Sequence, residues 1–224
     1  MSNYYTISIN PLAEFIKATD ARKKRIIEQQ KKPSPIIVNW YQLAKSRMKK
    51  FIINNADYET IDDAILTLKN RKGLNQRQVI DRQVSLEALE RFIKLKIPNV
   101  LQEKDIEFYK FKNKSIIYQN VEITVSPDVI FSIKRDGIKH YGAIKLRVSK
   151  SKTFDNDQQN LIASTLYEYL KQNIIDNKSV IEPDLCLSLD VFGNGYKALN
   201  ANSNDTLVNY KSYFEEIKNI WKIN

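Results

Sequence analysis

Apolar residues recur every three to four positions through the first hundred residues, a spacing that predicts amphipathic helices. Helices are expected to begin near residues 11, 35, 60 and 85. Asn10-Pro11 is typical of a helix start, and Ser85 is expected to cap the fourth helix. Pro33 and Pro98 end the first and the fourth, whereas residues 74–84 are polar and give no clear pattern.

After residue 100 the period changes to an alternation that is typical of strands. Strands are predicted over residues 115–119, 121–133, 138–149, 184–192 and 196–199. Asp136-Gly137 predicts a tight hairpin turn between the second and the third of them. Helical spacing returns over residues 157–174, and a last helix is expected from about Asp205. The chain is therefore expected to be an α/β protein.

The change of period near residue 98 predicts two domains. Residues 1–98 form a helical domain, and residues 99–224 form an α/β core of a mixed sheet flanked by helices. The helix over residues 85–96 fits either of them.

Charge is concentrated in the first of these domains. The chain has a formal net charge of +10, and residues 1–99 hold 19 basic against 10 acidic residues. Such an excess indicates a polyanion as partner, most often nucleic acid, although it also fits a solvated helix face. The cluster expected to contact phosphates consists of Arg22, Lys23, Lys24, Arg25, Lys31 and Lys32.

Several classes of protein are excluded by what the sequence lacks. Cys186 is the only cysteine and His140 the only histidine, so neither a disulfide framework nor a multi-histidine metal site can form. No apolar run is long enough to cross a membrane, and the first residues do not resemble a signal peptide. We therefore expect a cytoplasmic protein with no membrane partner.

Residues 121–149 carry the most informative chemistry. Asp128 lies in one predicted strand and Lys145 in the next, and the hairpin turn can bring the two side by side. Ala143 shares the face of Lys145 because side chains alternate along a strand. A carboxylate that holds Mg²⁺ and a lysine that steadies an attacking water are half of a metal-dependent hydrolytic site.

This segment resembles the PD-(D/E)xK nuclease superfamily, in particular its RecB-like branch. The resemblance is carried by Pro127-Asp128, by Ala143-Ile144-Lys145 and by Gln158-Gln159 at the start of the next helix. It covers roughly residues 85–224 and implies a restriction-endonuclease-like core. The implied activity is hydrolysis of DNA phosphodiesters with Mg²⁺ or Mn²⁺.

The resemblance also implies a role for each site residue. Asp128 and the acid that the family has at position 143 would hold the metal, with Glu90 as a third ligand from the preceding helix. Lys145 would orient the water or stabilise charge on the phosphate, and Gln159 would position the substrate.

Ala143 departs from this pattern, because the family has Asp or Glu there. One carboxylate alone binds Mg²⁺ weakly, so metal binding is expected to be weak or absent in this chain. Natural loss of catalysis and a deliberate substitution by alanine both remain open. If position 143 is natively acidic, the resemblance implies a Mg²⁺-dependent deoxyribonuclease.

The alternatives are a catalytically inactive nuclease fold that binds nucleic acid or serves as a subunit of a complex, and a purely structural module. Homo-oligomers are also compatible with the sequence. Single- or double-stranded DNA, RNA in place of DNA, and endonuclease or exonuclease action are left open.

Overall fold

A computed structural model describes residues 5–33, 40–103, 105–174, 178–193, 195–200 and 207–223. In these residues it contains seven α-helices and eight β-strands. The helices are α1 Ile9–Phe15, α2 Asp20–Lys31, α3 Gln42–Ile53, α4 Glu59–Lys69, α5 Gln76–Phe92, α6 Asn156–Asn173 and α7 Lys211–Ile223. The strands are β1 Tyr5–Ser8, β2 Glu107–Tyr109, β3 Ser115–Tyr118, β4 Val121–Thr124, β5 Val129–Arg135, β6 Ile138–Arg147, β7 Ser179–Asp190 and β8 Gly195–Ala198.

The strands form two mixed sheets. The larger sheet has the order β2-β5-β6-β7-β8, in which β6 and β7 are parallel and the other neighbours antiparallel. The smaller sheet has the order β1-β4-β3, with β1 parallel to β4. The predicted α/β class is therefore confirmed.

The larger sheet lies between two apolar cores. Alternation along its strands sends Ile130, Ala143 and Cys186 to the core that contains α6. On the opposite face of the sheet, Phe131 and Ile144 pack in a second core with the buried residues of α3, α4 and α5.

The β5–β6 hairpin forms where it is predicted. Asp136 has a φ of 48° and Gly137 a φ of 81°. A tight two-residue hairpin turn of type I′ requires positive φ at both of its central residues. The turn fixes the register of the two strands, and Val129 lies opposite Ile144.

The first thirty residues differ from the expected helical domain. β1 pairs with β4, α1 packs on α6, and α2 packs on α7, so these contacts join the N-terminal residues to the C-terminal half. A four-residue strand is too short to show alternation in the sequence. Residues 16–19 also break the first predicted helix into α1 and α2. Contacts therefore cross the expected boundary at residue 98.

Other element bounds also shift. Helix α5 begins after Asn75, whose side chain forms a capping box with Gln78, while Ser85 is buried within that helix. The predicted strand over residues 121–133 divides into β4 and β5, and β2 was not predicted. The expected starts near residue 35 and at Asp205 lie outside the described residues. Among the residues described, no helix combines the length and apolar character needed to cross a membrane.

Candidate functional site

Asp128 lies beside Lys145 at the open end of the β5–β6 hairpin. Its backbone N–H donates to the carbonyl oxygen of Ile144 at 2.8 Å, which extends the ladder one residue beyond β5. The side chains of Asp128 and Lys145 are neighbours there, with Oδ2 and Nζ 4.0 Å apart, as the hairpin turn predicts.

The carboxylate of Asp128 is surrounded by donors and cations. Its Oδ2 accepts the N–H of Leu146 at 2.9 Å. Its Oδ1 lies 3.2 Å from Lys45 Nζ and 3.5 Å from Lys49 Nζ. These lysines are one turn apart on α3, and the Asp128 side chain is only 6% exposed. All of its charge is therefore balanced from within the chain.

Lys145 is buried in the floor of the same site. Its Nζ donates to the carbonyl oxygens of Val125 at 2.9 Å and Ser126 at 2.6 Å, and lies 4.0 Å from Asp128 Oδ2. Burial lowers the pKa of Lys145 to about 8; the Asp128 charge opposes this, and the Lys45 and Lys49 charges add to it. The ammonium also holds the bend at Ser126, whose φ is 41°.

Ala143 is on the face of β6 that packs against α6, and none of its surface is exposed. Its strand neighbours are Ile130 and Cys186, so an apolar core surrounds it. Glu90 is exposed on α5, whose buried residues belong to the core on the other side of the sheet. Glu90 and Ala143 therefore lie on opposite sides of the sheet, whereas Ala143 shares its face of β6 with Lys145.

Gln158 and Gln159 are both buried at the start of α6. Gln158 forms a capping box with Asp155 and donates from Nε2 to the carbonyl of Ala13 at 2.7 Å. Gln159 Nε2 lies 3.5 Å from the carbonyl of Phe154. These contacts lie at the start of the helix, within the chain.

The basic cluster on α2 is divided between contacts within the chain and exposed positions. Lys23 donates to both oxygens of Glu216 at 2.8 Å, and Arg22 donates to Glu14 at 3.0 Å. Lys31 donates to the carbonyl of Trp221. The members exposed to solvent are Lys24, Arg25 and Lys32. Half of the cluster thus holds α2 in place.

A cleft opens between α3 and the β5–β6 hairpin. It consists of two adjoining cavities of about 750 and 700 Å³, which share Lys45, Lys49, Ile53, Lys110 and Asp128. The basic residues that line the cleft are Lys45, Lys49, Lys50, Lys110, Lys114, Lys145 and Arg147. Asp128 is the one carboxylate among the described residues that line it.

Arg147 forms part of the cleft wall. Its guanidinium contacts Glu14 at 3.3 Å, donates to the carbonyl of Lys152 and lies 3.8 Å from the ring centroid of Phe154. The positive charge of Arg147 is therefore already paired with Glu14. The positive charge of the cleft that exceeds the single negative charge of Asp128 comes from the lysines.

Sequence reasoning missed the lysines of α3 and those that follow β2. Ala44, Met48, Phe51 and Ile52 form the buried face of α3, so the amphipathic pattern already indicated that Lys45 and Lys49 lie on another face. That these two lysines contact Asp128 depends on how α3 packs on the hairpin, and the helical pattern alone does not show this packing.

The side chains of the cleft do not fit a divalent cation. Mg²⁺ requires several oxygen ligands, and the described residues that line the cleft include only one carboxylate. Three ammonium groups lie within 4.0 Å of that carboxylate and would repel a metal ion. In the described residues no group of three or more His, Cys, Asp or Glu could hold a metal ion.

Comparison of the chain with family models and with curated proteins finds no match.

Proposed function

We propose that the protein binds DNA in the cleft between α3 and the β5–β6 hairpin, through phosphate contacts that need no metal ion. The proposal includes the restriction-endonuclease-like core that the sequence resemblance implies. The antiparallel β5–β6 hairpin, followed by α6 and the parallel strand β7, supports that assignment.

One observation carries the proposal: many cations converge on a single carboxylate. Lys45, Lys49 and Lys145 balance Asp128, and exposed Lys50, Lys110 and Lys114 lie around them. Holding like charges this close costs free energy in the free protein. An anionic ligand relieves that repulsion, and the DNA backbone supplies a row of phosphates.

The test compares DNA binding by two double variants, each of which lacks two positive charges. Binding of a fluorescein-labelled 20-mer is measured by anisotropy in EDTA over a range of NaCl concentrations. Lys45→Gln/Lys49→Gln is the cleft variant, and Lys24→Gln/Arg25→Gln on exposed positions of α2 is the matched control. We expect only the cleft variant to weaken binding by about tenfold or more and to flatten the salt dependence by about one to two units of slope.

Equal effects of the two pairs would assign binding to overall charge rather than to the cleft. Absence of salt-dependent binding by the unsubstituted protein would overturn the proposal altogether.

Phosphodiester hydrolysis is the second candidate function. The pairing of Asp128 with Lys145 across β5 and β6 favours it, because the resemblance implies this pair at a nuclease site. Since the residues present do not fit Mg²⁺, we derive no hydrolytic step from them. The decisive variant is Ala143→Glu, assayed for metal-dependent cleavage of DNA.

A further inference from the structure

The second cavity of the cleft is lined by aromatic rings as well as lysines. These rings belong to Phe108, Tyr109, Phe111 and Tyr169. Phe111 stacks on Tyr169 with ring centroids 6.3 Å apart and planes inclined by 28°. Tyr169 is fixed by its hydroxyl, which donates to the carbonyl of Asn113 at 2.7 Å. Phe108, Tyr109 and Phe111 remain partly exposed.

Lysines flank these rings on two sides. Lys110 and Lys114 lie next to Phe111 in the segment after β2, and both are exposed. Lys45 and Lys49 face them from α3. The cavity therefore combines partly exposed aromatic rings with lysines on two sides, which fits a ligand that joins a planar group to an anion.

We propose that this cavity accepts an unpaired base, so that the cleft binds single-stranded DNA in preference to duplex. The inference rests on the proposed function and specifies its substrate. The base stacks among the aromatic rings, and the adjoining phosphates contact Lys45, Lys49 and Lys110. Aromatic side chains beside a basic groove are how proteins bind single strands without reading sequence.

Intact duplex DNA cannot place a base in this cavity. Its bases are stacked and paired inside the helix, and they reach a protein pocket only when a nucleotide is rotated out of the stack, which costs free energy. A single strand presents its bases without that cost. The volume of about 700 Å³ also lies in the range of pockets that hold small planar ligands.

Three probes of equal length separate base contacts from phosphate contacts. They are an oligo-dT strand, a strand of abasic residues with the same phosphates, and a duplex, each measured by anisotropy at one salt concentration. We expect the dT strand to bind about tenfold more tightly than either of the others, because stacking adds to the phosphate contacts.

Phe111→Leu tests the ring itself, with Tyr196→Leu as control because Tyr196 is 40% exposed on β8 and does not line the cleft. Phe111→Leu is expected to weaken dT binding by about tenfold and to leave abasic binding unchanged, which also shows that the variant is folded. The control is expected to change neither.

Equal binding of the abasic and dT strands by the unsubstituted protein would overturn this inference and leave the proposed function standing. Failure of all three probes to bind would overturn both. The comparison of probes needs no variant, so a folding defect in Phe111→Leu does not affect it.

Discussion

Lys45 Nζ lies 3.2 Å from Asp128 Oδ1, and this ion pair joins helix α3 to the β5–β6 hairpin. Lys49, one turn further along α3, approaches the same oxygen at 3.5 Å. Because the two elements are far apart in sequence, the cleft between them exists only in the folded chain. Its charge balance depends on a single carboxylate.

Asp128→Asn is expected to strengthen DNA binding by several-fold. The amide keeps an oxygen for the N–H of Leu146 but removes the negative charge that opposes phosphate. The same change is expected to lower the free energy of unfolding by roughly 1–3 kcal/mol, because Lys145 and its neighbours lose their counter-charge. Anisotropy and denaturant unfolding measure the two effects.

Asp184→Asn is the control for that substitution, since Asp184 is exposed on β7 and does not line the cleft. Weaker DNA binding by Asp128→Asn would contradict the account, because it would mean that the carboxylate itself serves the ligand.

Lys145 should make stability depend on pH in the alkaline range. Burial holds its pKa at about 8 in the folded protein against 10.5 for an ordinary lysine. Between these values the unfolded chain binds a proton that the folded chain does not, so this group's contribution to stability rises with pH. The full effect is roughly 3 kcal/mol across that window, and it is absent in Lys145→Met.

The measurement is the free energy of unfolding of the unsubstituted protein and of Lys145→Met at pH 7, 8, 9 and 10. Other titrating groups affect both proteins alike, so the difference isolates Lys145. Lys134→Met, at an exposed position of β5, provides the control. Parallel curves for the unsubstituted protein and Lys145→Met would rule out the lowered pKa.

Ala143→Glu should destabilise the protein without creating a nuclease. The new carboxylate would lie between Ile130 and Cys186 in the fully buried core, where taking a charge out of water is costly. We expect a loss of more than about 3 kcal/mol and no cleavage of plasmid, duplex or single-stranded DNA with Mg²⁺ or Mn²⁺.

Ala143→Gln, which adds nearly the same volume without charge, separates overpacking from the burial of the carboxylate. Metal-dependent cleavage by Ala143→Glu that disappears on adding Lys145→Ala would establish hydrolysis in place of metal-free binding.

Gly142 controls how β6 packs against β7. A Cβ built on Gly142 would lie 2.5 Å from Leu185 Cβ and 2.6 Å from the Leu185 carbonyl oxygen. Because a backbone oxygen cannot rotate away, Gly142→Ala should cost about 3 kcal/mol. Gly137→Ala is the comparison, since its Cβ would meet nothing within 4 Å and only the positive φ adds strain, about 1 kcal/mol. Equal costs would contradict the close packing at Gly142.

The sequence was sufficient for the hairpin and for the pairing of Asp128 with Lys145, because both follow from a local turn and from alternation. It was also sufficient for the helical start before Gln158, which depends on a cap within three residues. β1 could not be predicted, since its stability comes from pairing with β4, more than a hundred residues away.

The chemistry of the site was less predictable. Lys45 and Lys49 look like an ordinary solvated helix face until α3 packs on the hairpin. The basic cluster on α2 has the stronger sequence signal, but Lys23 pairs with Glu216 on α7, an ion pair that only the tertiary structure brings together. A charge run in the sequence therefore does not show which of its members are paired within the fold.

Lysine footprinting tests the central claim most directly. The protein is acetylated with an amine-reactive reagent, with and without saturating DNA, and the modified lysines are quantified by mass spectrometry. Metal-free binding in the cleft predicts protection of Lys45, Lys49, Lys110 and Lys114 in the presence of EDTA, with Lys24 and Lys32 on the α2 side still reactive. Protection of Lys24 and Lys32 with no change at the cleft lysines would contradict the account.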